Sequence, residues 1–76
     1  MTQREWQEIF ASNLTSILRE RGMSQNQLAR EAGVSVSRIS DYVNKSAVPT
    51  IFTAINIAYA LDLDVGDLID FGESIE

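Results

Sequence analysis

The sequence predicts an all-α fold, a compact domain of five helices, from three observations. The chain has 76 residues, a length that suits one small domain. Five segments in succession carry helix start and stop signals. In the segment 25–44, QNQLAREAGVSVSRISDYVN, small and apolar residues fall where two helices that cross at a tight turn need them.

The first helix is expected to run from a cap at Thr2 to about Arg21. Its apolar residues recur every three or four positions, which places them on one face. This inward stripe consists of Trp6, Phe10, Leu14, Ile17 and Leu18. Gly22 is expected to end the helix, because glycine adopts the left-handed conformation of a helix C-terminus without steric cost.

The second helix is expected to begin after Ser24, with Gln27 three residues on in a capping-box pattern. Leu28 and Ala32 lie one turn apart, so both side chains face inward. Ala29 beside them is small enough to let another helix approach closely. The spacing therefore predicts a short helix that packs against the helix after it.

A tight turn is expected at Gly33, with Val34 packed in the angle between the two helices. Ser35 can cap the third helix. Its inward residues recur at intervals of three or four, and they are Ile39, Tyr42 and Val43. Its exposed face carries short side chains with one cation at the flank, and these residues are Val36, Ser37, Ser40, Asp41 and Arg38.

A helix with short exposed side chains that protrudes from a compact domain has the shape that the DNA major groove accepts. The sequence therefore predicts a helix-turn-helix that reads DNA. The alternative is an ordinary hairpin of two helices in a small bundle, since such hairpins also contain glycine at the turn. The joint placement of Gln25, Ala29, Gly33, Val34 and Ile39 favours the helix-turn-helix.

Pro49 in the loop 44–50, NKSAVPT, prevents the third helix from continuing, and Thr50 can cap a fourth. The apolar residues of this helix are Ile51, Phe52, Ile55, Ile57, Ala58 and Leu61. They surround it on nearly all sides, so we expect it to be buried on most sides as the central element. A short fifth helix is expected from Asp64 or Val65 to Ile69, with Asp64 as its cap.

Composition argues against several classes of function. The chain has no Cys and no His, which removes thiolate nucleophiles, disulfides and the usual zinc ligands. No apolar run approaches the roughly twenty residues of a membrane span, and the segment 1–10 mixes charges among apolar residues, unlike a secretory leader. The acidic run DLDVGDLID lacks the ligand spacing of a calcium loop. We expect a soluble cytoplasmic protein that is not an enzyme and uses no cofactor, metal or small-molecule ligand.

The formal charge is -5, whereas DNA-binding domains usually present basic surfaces. The acidic residues are concentrated at the C-terminal end of the sequence. Positions 12–61 contain five basic and three acidic residues, whereas the last fifteen positions contain six acidic residues. We expect one domain over residues 1–76, with 1–9 as an extension of helix one and 70–76 as an acidic tail.

From Phe10 to Phe71 the chain resembles the lambda-repressor-like, or XRE-family, helix-turn-helix domain of phage repressors, Cro-type regulators and small bacterial transcription factors. The resemblance rests on RGMSQNQLAREAGVSVSRIS, the loop with Pro49, and IAYALDLDVGDLI, which follow one another in the family's order. Many members carry an Arg and a Glu that form a buried ion pair where Leu18 and Val43 stand here.

The resemblance implies residues that contact DNA. The implied base contacts are Val36, Ser37, Ser40 and Asp41. The implied phosphate contacts are Gln25, Ser35, Arg38, Asn44, Lys45 and Ser46. The resemblance also implies a dimer contact near the fifth helix, with Val65, Leu68, Ile69 and Phe71 as candidates, although part of that set must be core.

The expected function is that of a sequence-specific transcription regulator, a repressor of the Cro or cI kind. It would bind a palindromic double-stranded operator as a homodimer, with the helix 35–43 in the major groove. The alternative is an acidic modulator that acts mainly by binding another protein, such as a repressor or a polymerase subunit. The acidic charge keeps this alternative open, as does a recognition helix with Arg38 as its one cation.

Overall fold

The computed structural model describes residues 2–68, which form five α-helices and, within that range, no β-strand. The helices are α1 (Gln3–Arg21), α2 (Gln25–Ala32), α3 (Val36–Val43), α4 (Ile51–Ala60) and α5 (Val65–Leu68). α1 packs against α3 and α5, α2 against α3 and α4, and α4 against α5. The predicted five-helix, all-α fold is confirmed. The predicted acidic tail 70–76 lies outside the described residues and stays a prediction.

One hydrophobic core joins all five helices. Its largest fully buried side chains are Phe10, Leu14, Leu28, Ile39, Ile57, Leu61 and Leu68. The Phe10 ring meets the ring of Tyr42 edge-on, with the centroids 6.0 Å apart, and such aromatic pairs add to the free energy of apolar burial. This contact fixes α3 against α1. None of the helices that residues 2–68 form has the length and apolar character needed to cross a bilayer.

Short polar side chains begin the helices. At α1 the Thr2 hydroxyl accepts from the Glu5 amide at 3.1 Å and Glu5 Oε1 accepts from the Thr2 amide at 2.9 Å, a complete capping box. At α2 the Ser24 hydroxyl accepts from the Gln27 amide at 3.0 Å. The Gln27 side chain donates to Glu31 at 3.3 Å, so the capping box predicted here is half formed.

Asp64 lies directly before α5, at the predicted cap position, but the side chain of another residue makes the capping hydrogen bond. The backbone amide of Asp64 donates to the Asp67 carboxylate at 3.2 Å, and the Asp67 amide donates to the Asp64 carbonyl at 2.9 Å. The capping bond in the structure therefore uses the side chain of Asp67. This pair closes the single turn of α5, and Ile69 lies outside the described residues.

Polar side chains of α1 hold three other elements by donating to backbone carbonyls. Gln7 Nε2 donates to the carbonyl of Lys45 at 3.1 Å, in the loop after α3. Asn13 Nδ2 donates to the carbonyl of Leu68 at 2.8 Å, and the Arg21 guanidinium donates to the carbonyl of Leu61. The first turns of α1 therefore position the loop after α3. Residues 3–9 are a continuous part of α1 in the structure.

α4 contradicts the expectation that it is buried on most sides. Its inner face, formed by Ala54, Ile57 and Ala58, is buried against α2 and α5. Its outer face is exposed, with 63% of Ile51, 71% of Phe52, 47% of Ile55 and 86% of Tyr59 accessible. The prediction was wrong because α4 has apolar residues on both faces and its neighbours cover one of them.

Candidate nucleic-acid interface

The turn between α2 and α3 has the geometry that the sequence predicts. Gly33 adopts φ 71°, in the left-handed region, and ends α2. The amide of Val34 donates to the Ala29 carbonyl at 3.0 Å, and Val34 packs against the core. The Ser35 hydroxyl accepts from the amide of Arg38 at 3.2 Å, which fixes the start of α3.

One face of α3 is buried and the opposite face is accessible to solvent. Ile39 and Tyr42 are buried in the core, whereas Ser37 and Arg38 are exposed and 42% of Val36 is accessible. Ser40 and Asp41 are half-buried further along the same face. The first turn of α3 therefore points its side chains into solvent, and the second turn offers partly accessible polar groups.

The loop after α3 presents three exposed residues, Asn44, Lys45 and Ser46. Lys45 adopts φ 64°, a left-handed conformation that costs a residue with a Cβ free energy. Its amide donates to the carbonyl of Tyr42 at 3.2 Å, and the Ser46 amide donates to the carbonyl of Asp41 at 2.7 Å. Together with the bond from Gln7, these contacts fix the direction of the loop.

Two predicted contact residues bond to each other. Asn44 Nδ2 donates to the Ser40 hydroxyl at 3.3 Å, along the last turn of α3. A serine hydroxyl carries one donor and two acceptor positions, so Ser40 retains a hydrogen to donate. The pair orients the Asn44 amide beside the half-buried part of α3.

Two shallow grooves border α1 beside the predicted phosphate contacts. The first, of about 310 Å³, lies between α1 and the end of α3 and is lined by Val43 and Lys45. The second, of about 380 Å³, reaches the start of α2 and is lined by Ser24, Gln25 and Val43. Leu18, which stands with Val43 where the resemblance implies an ion pair in many members, also lines the second groove.

Arg19 lines both grooves, and sequence reasoning missed it as a site residue. Its exposed guanidinium belongs to the polar face of α1, next to Thr15, which also lines both grooves, and Ser12 and Ser16, which line the first. The four-residue spacing of Thr15 and Arg19 would have placed both on one face. The sequence had no signal that this face borders Gln25 and Lys45, because that contact depends on tertiary packing.

Two depressions on the surface of the described residues differ in charge. Arg19 and Lys45 line the first groove without an acidic neighbour among its lining residues. Asp62, Asp64 and Asp67 line a separate depression of about 550 Å³ beyond α4, together with Tyr59 and Leu63. No predicted DNA contact lines that depression. Three acidic residues therefore lie together at the α4–α5 end, apart from the predicted DNA contacts.

The dimer candidates near α5 are placed differently from one another. Leu68 has no accessible surface and belongs to the core, so it is not available to a partner in this fold. Val65 is half-buried and packs against the core. Ile69 and Phe71 lie outside the described residues. The sequence pattern cannot separate core from interface here, because an apolar residue serves either role.

Comparisons with known proteins agree with this geometry. The model of the helix-turn-helix family HTH_3 matches residues 14–68. The chain belongs to this family. HTH_3 is the lambda-repressor-like, or XRE, helix-turn-helix, so the resemblance drawn from the sequence is confirmed. The match extends from the middle of α1 to the end of α5 and includes both helices of the motif.

A solved structure is similar over most of the chain. It is described as the crystal structure of an HTH_3 family transcriptional regulator from Vibrio cholerae. The sequences are 25% identical and the TM-score is 0.85, with 88% of this chain covered. The present chain spans 38% of that regulator's length. No curated protein sequence matches the chain.

Proposed function

We propose that this protein is a DNA-binding transcription regulator that inserts α3 into the major groove of double-stranded DNA. The observation that carries the proposal is the outward first turn of α3, with Val36, Ser37 and Arg38 accessible on a helix held rigidly by Ile39 and Tyr42. Family membership and the regulator from Vibrio cholerae support it.

Each exposed group on α3 suits one part of a duplex. Val36 can contact a thymine methyl group, and the Ser37 hydroxyl can donate to or accept from a base edge. Ser40 and Asp41 are placed for bases further along the groove, where a carboxylate can accept from cytosine N4. These are short contacts of low information content, so most of the affinity must come from the phosphates.

The phosphate contacts surround α3. Ser35 and Gln25 stand at the starts of α3 and α2, where free amides and the positive end of the helix dipole attract anions. The Ser35 hydroxyl accepts from Arg38 N and keeps its own hydrogen for a phosphate oxygen. The side chains of Arg38, Asn44, Lys45 and Ser46 complete the set, and to these we add Arg19 in the grooves beside α1.

We further propose that the protein is a repressor that acts in the cytoplasm as a homodimer on a palindromic operator. Two recognition helices one DNA turn apart, about 34 Å, would read the two half-sites. A small domain with few cations gains affinity by doubling its phosphate contacts, which supports the dimer.

The test is a fluorescence anisotropy titration over a salt series, with a duplex recovered by selection from a random DNA pool. Binding should weaken with salt with a log-log slope of about 0.9 per phosphate neutralised. Gln25→Ala should weaken binding to every sequence, and Ser37→Ala should weaken the selected duplex more than a random one. Arg38→Ala should also reduce the slope by about one unit per monomer.

Arg30→Ala is the matched control, because it removes the same charge from an exposed residue of α2 that lines neither groove. Arg30→Ala should change the salt slope by less than half as much as Arg38→Ala does. The alternative function, a modulator that binds another protein, is favoured by the exposed apolar face of α4. Absence of DNA affinity at any salt concentration would replace the proposed function with this alternative.

A further inference from the structure

The outer face of α4 carries four of the five large apolar residues that are exposed among residues 2–68. Ile51, Phe52, Ile55 and Tyr59 expose together roughly 500 Å², taking about 200 Å² for an aromatic side chain and slightly less for isoleucine. The helix sequence IFTAINIAYA contains no charged residue. An apolar patch of this size is comparable to the largest patch on a typical monomer, about 300–600 Å², and such patches are often functional.

We propose that this face binds the same face of a second copy, with the two α4 helices antiparallel about a two-fold axis at Ile55. The residue spacing fits self-pairing. Ile51 and Tyr59 lie four positions before and after Ile55, so all three share one side of the helix. In the antiparallel pair Ile55 meets its own copy, and Ile51 packs against Tyr59 of the partner subunit. Such an interface is isologous, the commonest kind in homodimers.

Charge selects the antiparallel arrangement. The acidic groups Asp62, Asp64 and Asp67 lie beyond the C-terminal end of α4. Antiparallel pairing brings each acidic end to the N-terminal end of the partner's α4, where the helix dipole is positive. It also separates the two acidic ends by about 15 Å, the length of a ten-residue helix. That distance exceeds the Debye length of about 8 Å at physiological salt.

The area agrees with a dimer of modest stability. A standard interface buries about 800 Å² on each partner, and the apolar face of α4 supplies most of that area. The pairing uses none of the residues proposed to contact DNA. The inference rests on the proposed function in one respect, the homodimer, and identifies the interface of that homodimer. The interface is the outer face of α4, because Leu68 of α5, a dimer candidate from the sequence, is buried.

The experiment is a charge-complementation test by sedimentation equilibrium without DNA. The wild type should sediment as a dimer. Ile55→Lys and Ile55→Glu should each weaken self-association about tenfold or more, since each places like charges together at the axis. An equal mixture of the two variants should recover the dimer, because opposite charges then meet. Circular dichroism verifies folding, which the half-exposed position of Ile55 favours.

Gln3→Glu is the control for net charge, since it adds one negative charge at an exposed residue in the first turn of α1. It should leave self-association unchanged. Three results would overturn the inference: a wild type that is monomeric up to millimolar concentration, variants that dimerise as well as the wild type, or folded variants whose mixture stays monomeric. A wild-type monomer that binds a basic amphipathic peptide through α4 would also overturn it. Since no DNA is present, none of these results bears on DNA binding.

Discussion

The outer faces of α3 and α4 differ in chemistry although the two helices belong to one small core. The α3 face carries short side chains, several of them polar, on a helix fixed by Ile39 and Tyr42. The α4 face carries four large apolar side chains and no charge. Short polar groups can follow the edges of bases in a groove, whereas large apolar groups gain free energy by leaving water. The comparison supports the two proposals, that α3 binds DNA and that α4 binds protein.

The largest expected effect separates the two faces of α4. Ile57→Ala should lower the free energy of unfolding by about 3 kcal/mol, because it leaves a cavity among fully buried side chains. Ile55→Ala should cost less than about 1 kcal/mol in the monomer, since that residue is half-exposed. Urea denaturation at a protein concentration low enough to exclude dimers measures both. Equal losses would mean that the outer face is packed in solution.

The next effect tests whether the α3 surface extends to the groove beside α1. Arg19→Ala should weaken DNA binding by about fivefold and reduce the salt slope by about one unit per monomer, if its guanidinium meets a phosphate. Arg4→Ala removes an equal charge from the first turn of α1 and is the control. Anisotropy titrations over a salt series measure the affinity and the salt slope of both variants. An equal slope for Arg19→Ala and the wild type would confine the phosphate contacts to α2, α3 and the loop after α3.

Gly33→Ala tests the turn that directs α3 outward. A Cβ at Gly33 meets no atom within 4 Å, so its cost comes from the left-handed backbone alone and should be about 1 kcal/mol. Gly66→Ala is the contrasting variant, because Gly66 lies within α5 and its Cβ also has open space. It should stabilise by about 0.5 kcal/mol. Thermal unfolding compares the two, and a neutral Gly33→Ala would contradict the left-handed turn.

The smallest effect distinguishes backbone strain from charge at the end of α3. Lys45→Gly and Lys45→Ala both remove the cation, so both should weaken DNA binding to a similar extent. Lys45→Gly should in addition raise the free energy of unfolding by about 0.5–1 kcal/mol relative to Lys45→Ala, because glycine adopts φ 64° without strain. Chemical denaturation and anisotropy on the same samples measure both quantities. Equal stability of the two variants would contradict a strained loop.

The sequence predicted α3 well because its two faces differ in polarity. Ile39 and Tyr42 recur at helical spacing between polar residues, and Gly33 and Ser35 mark the turn and cap, so periodicity decides which side is buried. In α4 both faces are apolar, and periodicity then predicts burial all round. Which face is covered depends on where α2 and α5 pack, and that is long-range information.

The lack of long-range information in the sequence pattern also explains which residues of the candidate site could be predicted. The outward residues of α3 and the exposed loop follow from local pattern, whereas Arg19 joins the site only because α1 packs beside the start of α2 and the end of α3. The assignment of Leu68 to the core required the tertiary fold for the same reason. Local signals predict elements and their ends, and packing decides which surfaces remain free.

The most direct measurement of the central claim is a selection from a random DNA pool, performed in parallel with the wild type and with Ser37→Gln. A glutamine at this exposed position can bond an adenine through two hydrogen bonds, which a serine cannot do. The preferred sequences should differ at one base pair in each half-site and agree elsewhere. Identical preferences for two folded, DNA-binding proteins would contradict the assignment of α3 as the reading helix.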